Sequence, residues 1–505
     1  MKSLRVLLLA LLCAVAMPTF AQLTIGTVDP GPYTPGSSIA ATFSIDPDLC
    51  VAQNNVFSLR LSDAAGNFSN NPATIIGTYN AFYGTFVNGI IPENIPLGNG
   101  YKVRIESSAP ALLTAESNPF AIVSGGAIES KLISSKTLCG NAAAFGFSVG
   151  QIGANANIDL VNQSTAGGFV TTTVTNEANG TISTINFITQ QQNFEAELTH
   201  YTLFVKNEMP NGNVATKAYF IINNRVNTSF TTSGSAYVCL PGGSLQYFID
   251  VTSLNTGIQN NFPGNTYKIN WGDDTENIYT FCTLKSGVVE HNYLKSSCGE
   301  VYRAGNTTIY NAFGINVQVV SPFCGNVGTG VSTTAKVVDI TQNSFNGLNQ
   351  TCKNTPTSFV NTSILGDDPE NTGPSCRPDN ARFNWYVDGV LQASDQPRSF
   401  VFSYTFTQNK IYTVKLESIG TTGCATKPFE QQICVQDAPE PQFNFAQNTV
   451  CGPTTLKPTN TSVLDQNCQA GVSYLWTGWN NNSLSPKTSL RRNGLQIQSG
   501  TSLNS

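Results

Sequence analysis

"INWGDDTENIY", residues 269–279, runs from an alternating stretch through a tryptophan and a glycine into two adjacent aspartates. Two readings compete for it. The carboxylates of Asp273, Asp274 and Glu276 could hold a metal or cleave a glycosidic bond, or the stretch could be a tight turn between two strands. Glycosidase carboxylates face each other across a substrate at roughly 5–9.5 Å. Adjacent aspartates in a turn instead accept backbone N–H groups and tolerate unusual dihedrals. The turn reading fits the spacing and places the stretch in a sheet protein.

The rest of the sequence agrees with a sheet protein. Of 505 residues only 11% are charged, against about 25% in ordinary soluble proteins. Asn, Thr, Ser and Gln supply the polarity, strong helix formers are scarce, and Thr, Val, Ile, Phe and Tyr suit a pleated, half-buried surface. A hydrophobic content of 40% is ample for packed cores rather than disorder. The formal charge is −5 and no run of Lys or Arg occurs, which excludes a nucleic-acid binder, because phosphates demand a basic stripe.

"MKSLRVLLLALLCAVAMPTFAQ" opens the chain. Lys2 and Arg5 form a charged head, Val6 to Met17 an apolar stretch, and Thr19-Phe20-Ala21 a cleavage site. Residues 1–21 are therefore expected to be a secretory signal peptide, too short to span a bilayer comfortably. The mature chain is expected outside the cell, secreted or at the cell surface. Cys13 leaves with the signal; the 12 cysteines that remain of 13 suit disulfides in an oxidising compartment. No C-x-x-C occurs, so zinc and redox sites lack their usual signature.

The chain repeats itself. "TLCGNAAAFGF", "YVCLPGGSLQYF", "QTCKNTPTSFVN" and "TVCGPTTLKPTN" begin alike, with Cys139, Cys239, Cys352 and Cys451 about 100 residues apart. Late in each unit comes a strictly alternating strand: "YKVRIES", "YTLFVKN", "INVQVVS" and "YTVKLES", centred on Val103, Leu203, Val317 and Val414. Two markers with one period define modules at 22–124, 127–224, 228–339 and 340–437, with an incomplete one over 438–505. The seams "VSGGAIE", "NNRVNTS", "NVGTGVSTT" and "QDAPEP" read as linkers. Units of ~100 residues with about seven short strands fit an immunoglobulin-like β-sandwich. Trp271, Trp385 and Trp476 recur within the later units. They read either as sugar-stacking platforms or as the aromatic buried between two sheets.

On these residues the chain resembles the PKD domain, the immunoglobulin-like module of polycystin and of many bacterial surface proteins. That family carries a W-x-F-G-D-G-T-like turn followed by H-x-Y. Gly272, Asp273 and Thr275 match; Trp271 stands at the Phe, Asp274 replaces the second Gly, and His291 and Tyr293 supply H-x-Y. The fourth unit is a looser match, with "WYVDGV" around Asp388 and Tyr404 beneath the H-x-Y tyrosine. The first two units are similar to sandwich repeats in secreted proteins of Bacteroidota. The resemblance implies tandem PKD and Ig-like modules in an adhesin-like array of the kind tied to gliding motility or type IX secretion. Such arrays often end in a sorting domain. The text after Asn482 has no alternating strand or closing cysteine, and is expected to be either a truncated or frameshifted end or a disordered polar tail.

The remaining candidates are few. "LGDDPEN" offers Asp367, Asp368 and Glu370 for calcium, but the cation needs six to eight oxygens, and a solvated loop explains the stretch as well. Apart from calcium no cofactor is expected. The only histidines are His200 and His291. No H-E-x-x-H, G-x-S-x-G elbow or phosphate loop occurs, and repeats this short leave no room for a catalytic barrel of ~250 residues. The expectation is that the chain is no enzyme. Cysteine pairs are expected inside each unit: Cys239 with Cys324, Cys352 with Cys424, Cys282 with Cys298, Cys376 with Cys434, and Cys451 with Cys468; Cys50 and Cys139 stay unassigned. The leading function is a surface spacer or adhesion scaffold whose partners are a cell-surface glycan or protein. Its alternatives are a carbohydrate-binding accessory region of a truncated secreted enzyme and a calcium-stiffened adhesin.

Overall fold

A computed structural model describes residues 23–68, 74–147, 156–224, 230–232, 237–251, 261–377, 381–419, 424, 426–438 and 440–447, and beyond these 455–456, 458–463, 473–480, 483–493 and 503–504. The expected signal peptide lies outside the described residues. The fold is all-β: the one helix among the described residues is the single turn Phe281–Leu284. That turn starts at Thr280, whose hydroxyl accepts from the Thr283 N–H while the Thr283 side chain accepts from the Thr280 N–H, a reciprocal cap.

The chain divides into two compact units. The first comprises residues up to 236 together with 244–292 and 313–335; the second comprises 237–243, 293–312 and the chain from 336 onward.

The 340–437 sandwich, in the second unit, shows the topology whole. One sheet contains Phe345–Asn346, Pro356–Asn361 and Val401–Thr405. The other runs, edge to edge, Gln350–Cys352, Phe429–Gln436, Ile411–Ile419, Arg382–Val387 and Val390–Pro397. All pairings are antiparallel except the first, where Gln350 faces Cys434 and Cys352 faces Gln436 in parallel. A short opening strand that leaves one sheet to join the last strand of the other in parallel is the immunoglobulin-like arrangement. Arg382–Val387 alternates as the sequence demands: Phe383, Trp385 and Val387 point into the core, where Phe359, Phe402, Val414, Leu416, Ile433 and Val435 also pack. In the same unit, Lys336–Asp339 pairs in parallel with Tyr237–Leu240.

The same order recurs in the first unit. Asn141–Phe147 runs parallel to Val214–Asn223, and Tyr33 forms a parallel bridge to Ile122. Thr266–Asn270 sits between Glu276–Thr280 and Phe313–Ser321, which in turn pairs with the strand Gly325–Asp339. That last strand corrects the expected linker "NVGTGVSTT": its Val, Ser and Thr residues suit a ladder, and two register shifts absorb its irregular spacing.

The first two segments also do not form self-contained cores. Leu203, Val205, Tyr219 and Ile221 fill the core between the sheets of segment 127–224. Phe204, Ala218, Phe220 and Ile222, on the opposite face of the same strands, join Phe43, Phe86 and Val87 of segment 22–124 in a continuous cluster. Phe86 and Phe220 lie 4.4 Å apart between ring centroids. The Asn88 amide fixes the register, accepting from Ala218 N (2.8 Å) and donating to Ala218 O (3.0 Å). A strand apolar on both faces, such as "AYFII" at 218–222, must be covered on both.

Candidate functional site

The turn at 270–275 is built from the backbone outward. Trp271 N–H donates to Thr275 O (3.1 Å), and Gly272 N–H to Asn270 Oδ1 (2.9 Å). Gly272 has φ +83, and a Cβ there would meet Gly314 O at 2.7 Å, so only glycine fits. Asp274 also takes a positive φ, +71, which aspartate tolerates better than most residues. Asp273 is buried: Oδ1 accepts from the Thr275 N–H (3.1 Å) and hydroxyl, and Oδ2 lies 2.9 Å from His291 Nε2. Burial pushes this carboxyl's pKa up, but the hydrogen bonds from Thr275 and His291 and the charge of His291 outweigh it and hold the pKa below the usual carboxylate value. The His291 ring stacks flat on Trp271, with centroids 4.5 Å apart and planes 4° from parallel.

Asp, His and Thr meeting at one point invites comparison with a nucleophile relay, but the geometry differs. Thr275 Oγ1 lies 3.3 Å from Nε2, the same ring nitrogen that faces Asp273. A relay needs nucleophile and carboxylate on opposite nitrogens. The cluster ties the hairpin to the neighbouring strand Val288–Tyr293.

Both described tryptophan side chains are fully buried. Trp271 donates its Nε1–H to Asn277 Oδ1 (2.7 Å), and Trp385 stacks on Phe402 at 4.9 Å. A platform for a sugar ring needs an open face, which neither offers. Trp476 falls in the strand Ser473–Asn480, with its side chain outside the described residues. Tyr293 is fully buried, and Tyr404 packs edge-on against Phe406 at 4.9 Å. Asp388, at φ +49, accepts from Thr413 N (2.9 Å) and pairs with Lys410 (2.8 Å). Partial burial raises its pKa, but those two partners outweigh it and lower the value overall.

The acidic loop spends its oxygens on protein donors. Buried Asp367 accepts from Asp339 N (2.9 Å) and the Ser296 hydroxyl; Asp368 accepts from Glu370 N (3.0 Å); Glu370 is exposed. Burial and the nearby charge of Asp367 raise the pKa of Asp339, with Arg377 opposing. The loop carbonyls already face a cation, because Lys336 Nζ donates to Pro369 O (2.6 Å) and Asn371 O (3.3 Å). The one group of possible metal-ligand atoms within 4.8 Å of each other among the described residues is Cys298, Asp367 and Cys376, and its two sulfurs are bonded to each other.

The disulfides overturn the expected pairs. The bonds are Cys50–Cys282, Cys139–Cys324, Cys239–Cys424 and Cys298–Cys376. Cys352 is free, and Cys434 is disulfide-bonded, but not to Cys376. Thus Cys239–Cys324, Cys352–Cys424, Cys282–Cys298 and Cys376–Cys434 are all corrected; Cys451 and Cys468 lie outside the described residues. Each of the four bonds joins one sequence segment to another. In the 340–437 sandwich Cys352 lies beside Gln436, at the far end of Phe429–Gln436 from the loop that carries Cys424, so the two cannot meet.

Among the described residues no helix is long and apolar enough to cross a membrane. No protein-family model and no curated protein sequence matches the chain. Solved structures similar to it include the D1–D4 ectodomain fragment of ICAM-5 (9% identity, 82% of this chain and 99% of that one, TM-score 0.28). Invasin, a bacterial integrin-binding protein, follows at 12% identity, 86% and 82% coverage and TM-score 0.25. The chicken CNTN1 FN1–FN3 domains share 11% identity over 62% and 96%, with TM-score 0.17. Likenesses this distant carry nothing about activity, and the immunoglobulin-like assignment rests on the sheet order.

Proposed function

We propose that the chain is a non-catalytic extracellular spacer and adhesion scaffold, a PKD-like array held at or released from a bacterial surface, whose work is mechanical. The observation that carries this reading is that each of these four disulfides joins two different segments of the chain. Under tension a covalent shortcut limits how far the backbone can extend. From residue 23 to residue 436 the shortest covalent route runs through Cys50–Cys282 and Cys239–Cys424. It contains about 80 residues of backbone rather than about 410, so full extension falls from ~1,450 Å to ~290 Å. A scaffold that keeps its reach when pulled suits adhesion; a catalytic domain gains nothing from it. The carbohydrate-binding accessory alternative draws no support from Trp271 or Trp385, whose faces are covered.

Single-molecule extension of the chain tethered near residues 23 and 436 tests the reading. The oxidised chain is expected to stop near ~300 Å and the reduced chain to reach several times that. Equal extension in the two states would remove the basis for a mechanical role.

A further inference from the structure

Four strands of this protein hold the same place, at the edge of a sheet beside the strand that opens their hairpin: Ile75–Asn80, Ile182–Asn186, Glu276–Thr280 and Val390–Pro397. An open edge invites pairing with another chain, and proteins ordinarily blunt it with charge, proline, a bulge or a cover. Three of the four are blunted. Ile75–Asn80 is broken by a register shift and lies so close to Phe86–Ile90 that a Cβ on Gly77 would collide with Asn88 O. Glu276–Thr280 starts on a glutamate paired with Lys268 (2.7 Å) and runs straight into the helical turn Phe281–Leu284. Val390–Pro397 carries two register shifts, Asp395 at φ +55 and a terminal proline.

Ile182–Asn186 has none of these devices. Its ladder with residues 171–175 runs without a shift, from Thr171 opposite Asn186 to Thr175 opposite Ile182. No charged residue or proline occurs between Glu177 and Glu195. Ile182, Ser183, Thr184 and Asn186 are exposed, and among the described residues no strand pairs with their outer side. The ladder decides which backbone groups are left over. The Asn176 N–H donates to Thr181 O and the Phe187 N–H to Val170 O (both 2.9 Å), so residues 181, 183, 185 and 187 are the ones hydrogen-bonded inward. The N–H and C=O groups of Ile182, Thr184 and Asn186 therefore point outward; Asn186 O also accepts from Ile188 N (3.0 Å) and keeps a second lone pair.

We infer that this edge pairs with the same edge of a second copy of the chain, antiparallel about a two-fold axis at Thr184. That register sets Ile182 opposite Asn186 and Thr184 opposite its own counterpart, so each outward N–H faces an outward C=O. A slip of one residue would set outward groups against inward ones. Thr184 meeting Thr184 is a favourable cross-strand contact, and no like charges oppose each other along the seam. The interface is small, with five residues on each side, well below the ~1,000 Å² of a stable complex. Pairing is therefore weak in solution, with Kd on the order of 0.1 mM, and gains strength where many copies stand side by side on one surface.

The proposal is independent of the mechanical reading, since pairing requires no tension and extension requires no second copy. Sedimentation velocity of the full oxidised chain, from about 1 µM to about 1 mM, tests it. Wild type is expected to pass from monomer to dimer across that range. T184K and T184D, which place like charges on the two-fold axis, are each expected to weaken pairing about tenfold or more, and their equimolar mixture to regain the dimer. T184P removes an outward N–H, leaves the inward ladder alone, and is expected to stay monomeric. All three variants are expected to melt like wild type, because the edge is exposed. Wild type that stays monomeric throughout, which would leave the edge to a foreign strand, overturns the proposal. So does a dimer that survives T184K, or a mixture of T184K and T184D that stays monomeric.

Discussion

Cys239 is bonded to Cys424, 185 residues further along the chain, and the equivalent opening cysteine one repeat earlier, Cys139, reaches Cys324 across the same 185 residues. The equality shows a repeated device: the opening cysteine of one segment is fastened to the loop after the late strand of the next. Loop-closure entropy for a ring of this length is about 5 kcal/mol, compared with ~4.6 for the within-segment ring of ~85 residues. The longer staple therefore also restrains the unfolded chain more.

Peptide mapping without reduction is expected to recover Cys139–Cys324 and Cys239–Cys424 fragments. Alkylation before reduction should modify Cys352, the next opening cysteine in the series and a free thiol. A Cys239–Cys324 fragment would sink the repeated staple.

Calcium is expected to leave the melting temperature unchanged relative to chelator, because Lys336 already supplies the positive charge at the carbonyls of Pro369 and Asn371. Lys336→Met leaves those carbonyls short of a donor and should cost about 1–3 kcal/mol. A rise of several degrees in wild-type melting on adding calcium would contradict this.

His200 gives the fold an acid sensitivity. Burial lowers its pKa from 6.5 to about 4, and its ring lies edge-on to Phe262 at 5.7 Å. Above pH 6.5 the ring is neutral in both folded and unfolded chains and there is no penalty. As pH falls from 6.5 towards 4 the unfolded chain takes up a proton that the folded chain refuses. Stability therefore declines through that window and levels off below it, by at most about 3 kcal/mol. His200→Gln should flatten the decline between pH 6.5 and 4 in calorimetric melts of the first unit; an identical slope in wild type and variant would rule the residue out.

The sheet class was legible because alternation in "YKVRIES" or "YTVKLES" is local, and a strand's inward face follows from its own residues. The turn at Asp273 was legible for the same reason: Gly272, Asp273 and Thr275 act within a few residues of one another. The disulfides were not, because segments 228–339 and 340–437 carry four cysteines each, and spacing alone cannot tell a partner in the same sandwich from one in the next. Nor was the packing of Phe220 against Phe86, although the unbroken apolar run at 218–222 signals a strand covered on both faces. The role of Lys336 was not legible because it meets Pro369 and Asn371, 33 and 35 positions further on, only once the sheets close.

Trp385 separates the two roles a tryptophan can play in this chain. Its ring is fully buried, stacked on Phe402 and within 5.2 Å of Phe345 between centroids. Trp385→Ala is therefore expected to cost about 3–5 kcal/mol, seen as a large drop in the melting temperature of the 340–437 sandwich. Trp385→Phe, which keeps an aromatic face against Phe402, should lose markedly less. Should Trp385→Ala melt like wild type while abolishing glycan binding on an array, the ring would be a ligand platform, and the core assigned to this sandwich would have to be redrawn.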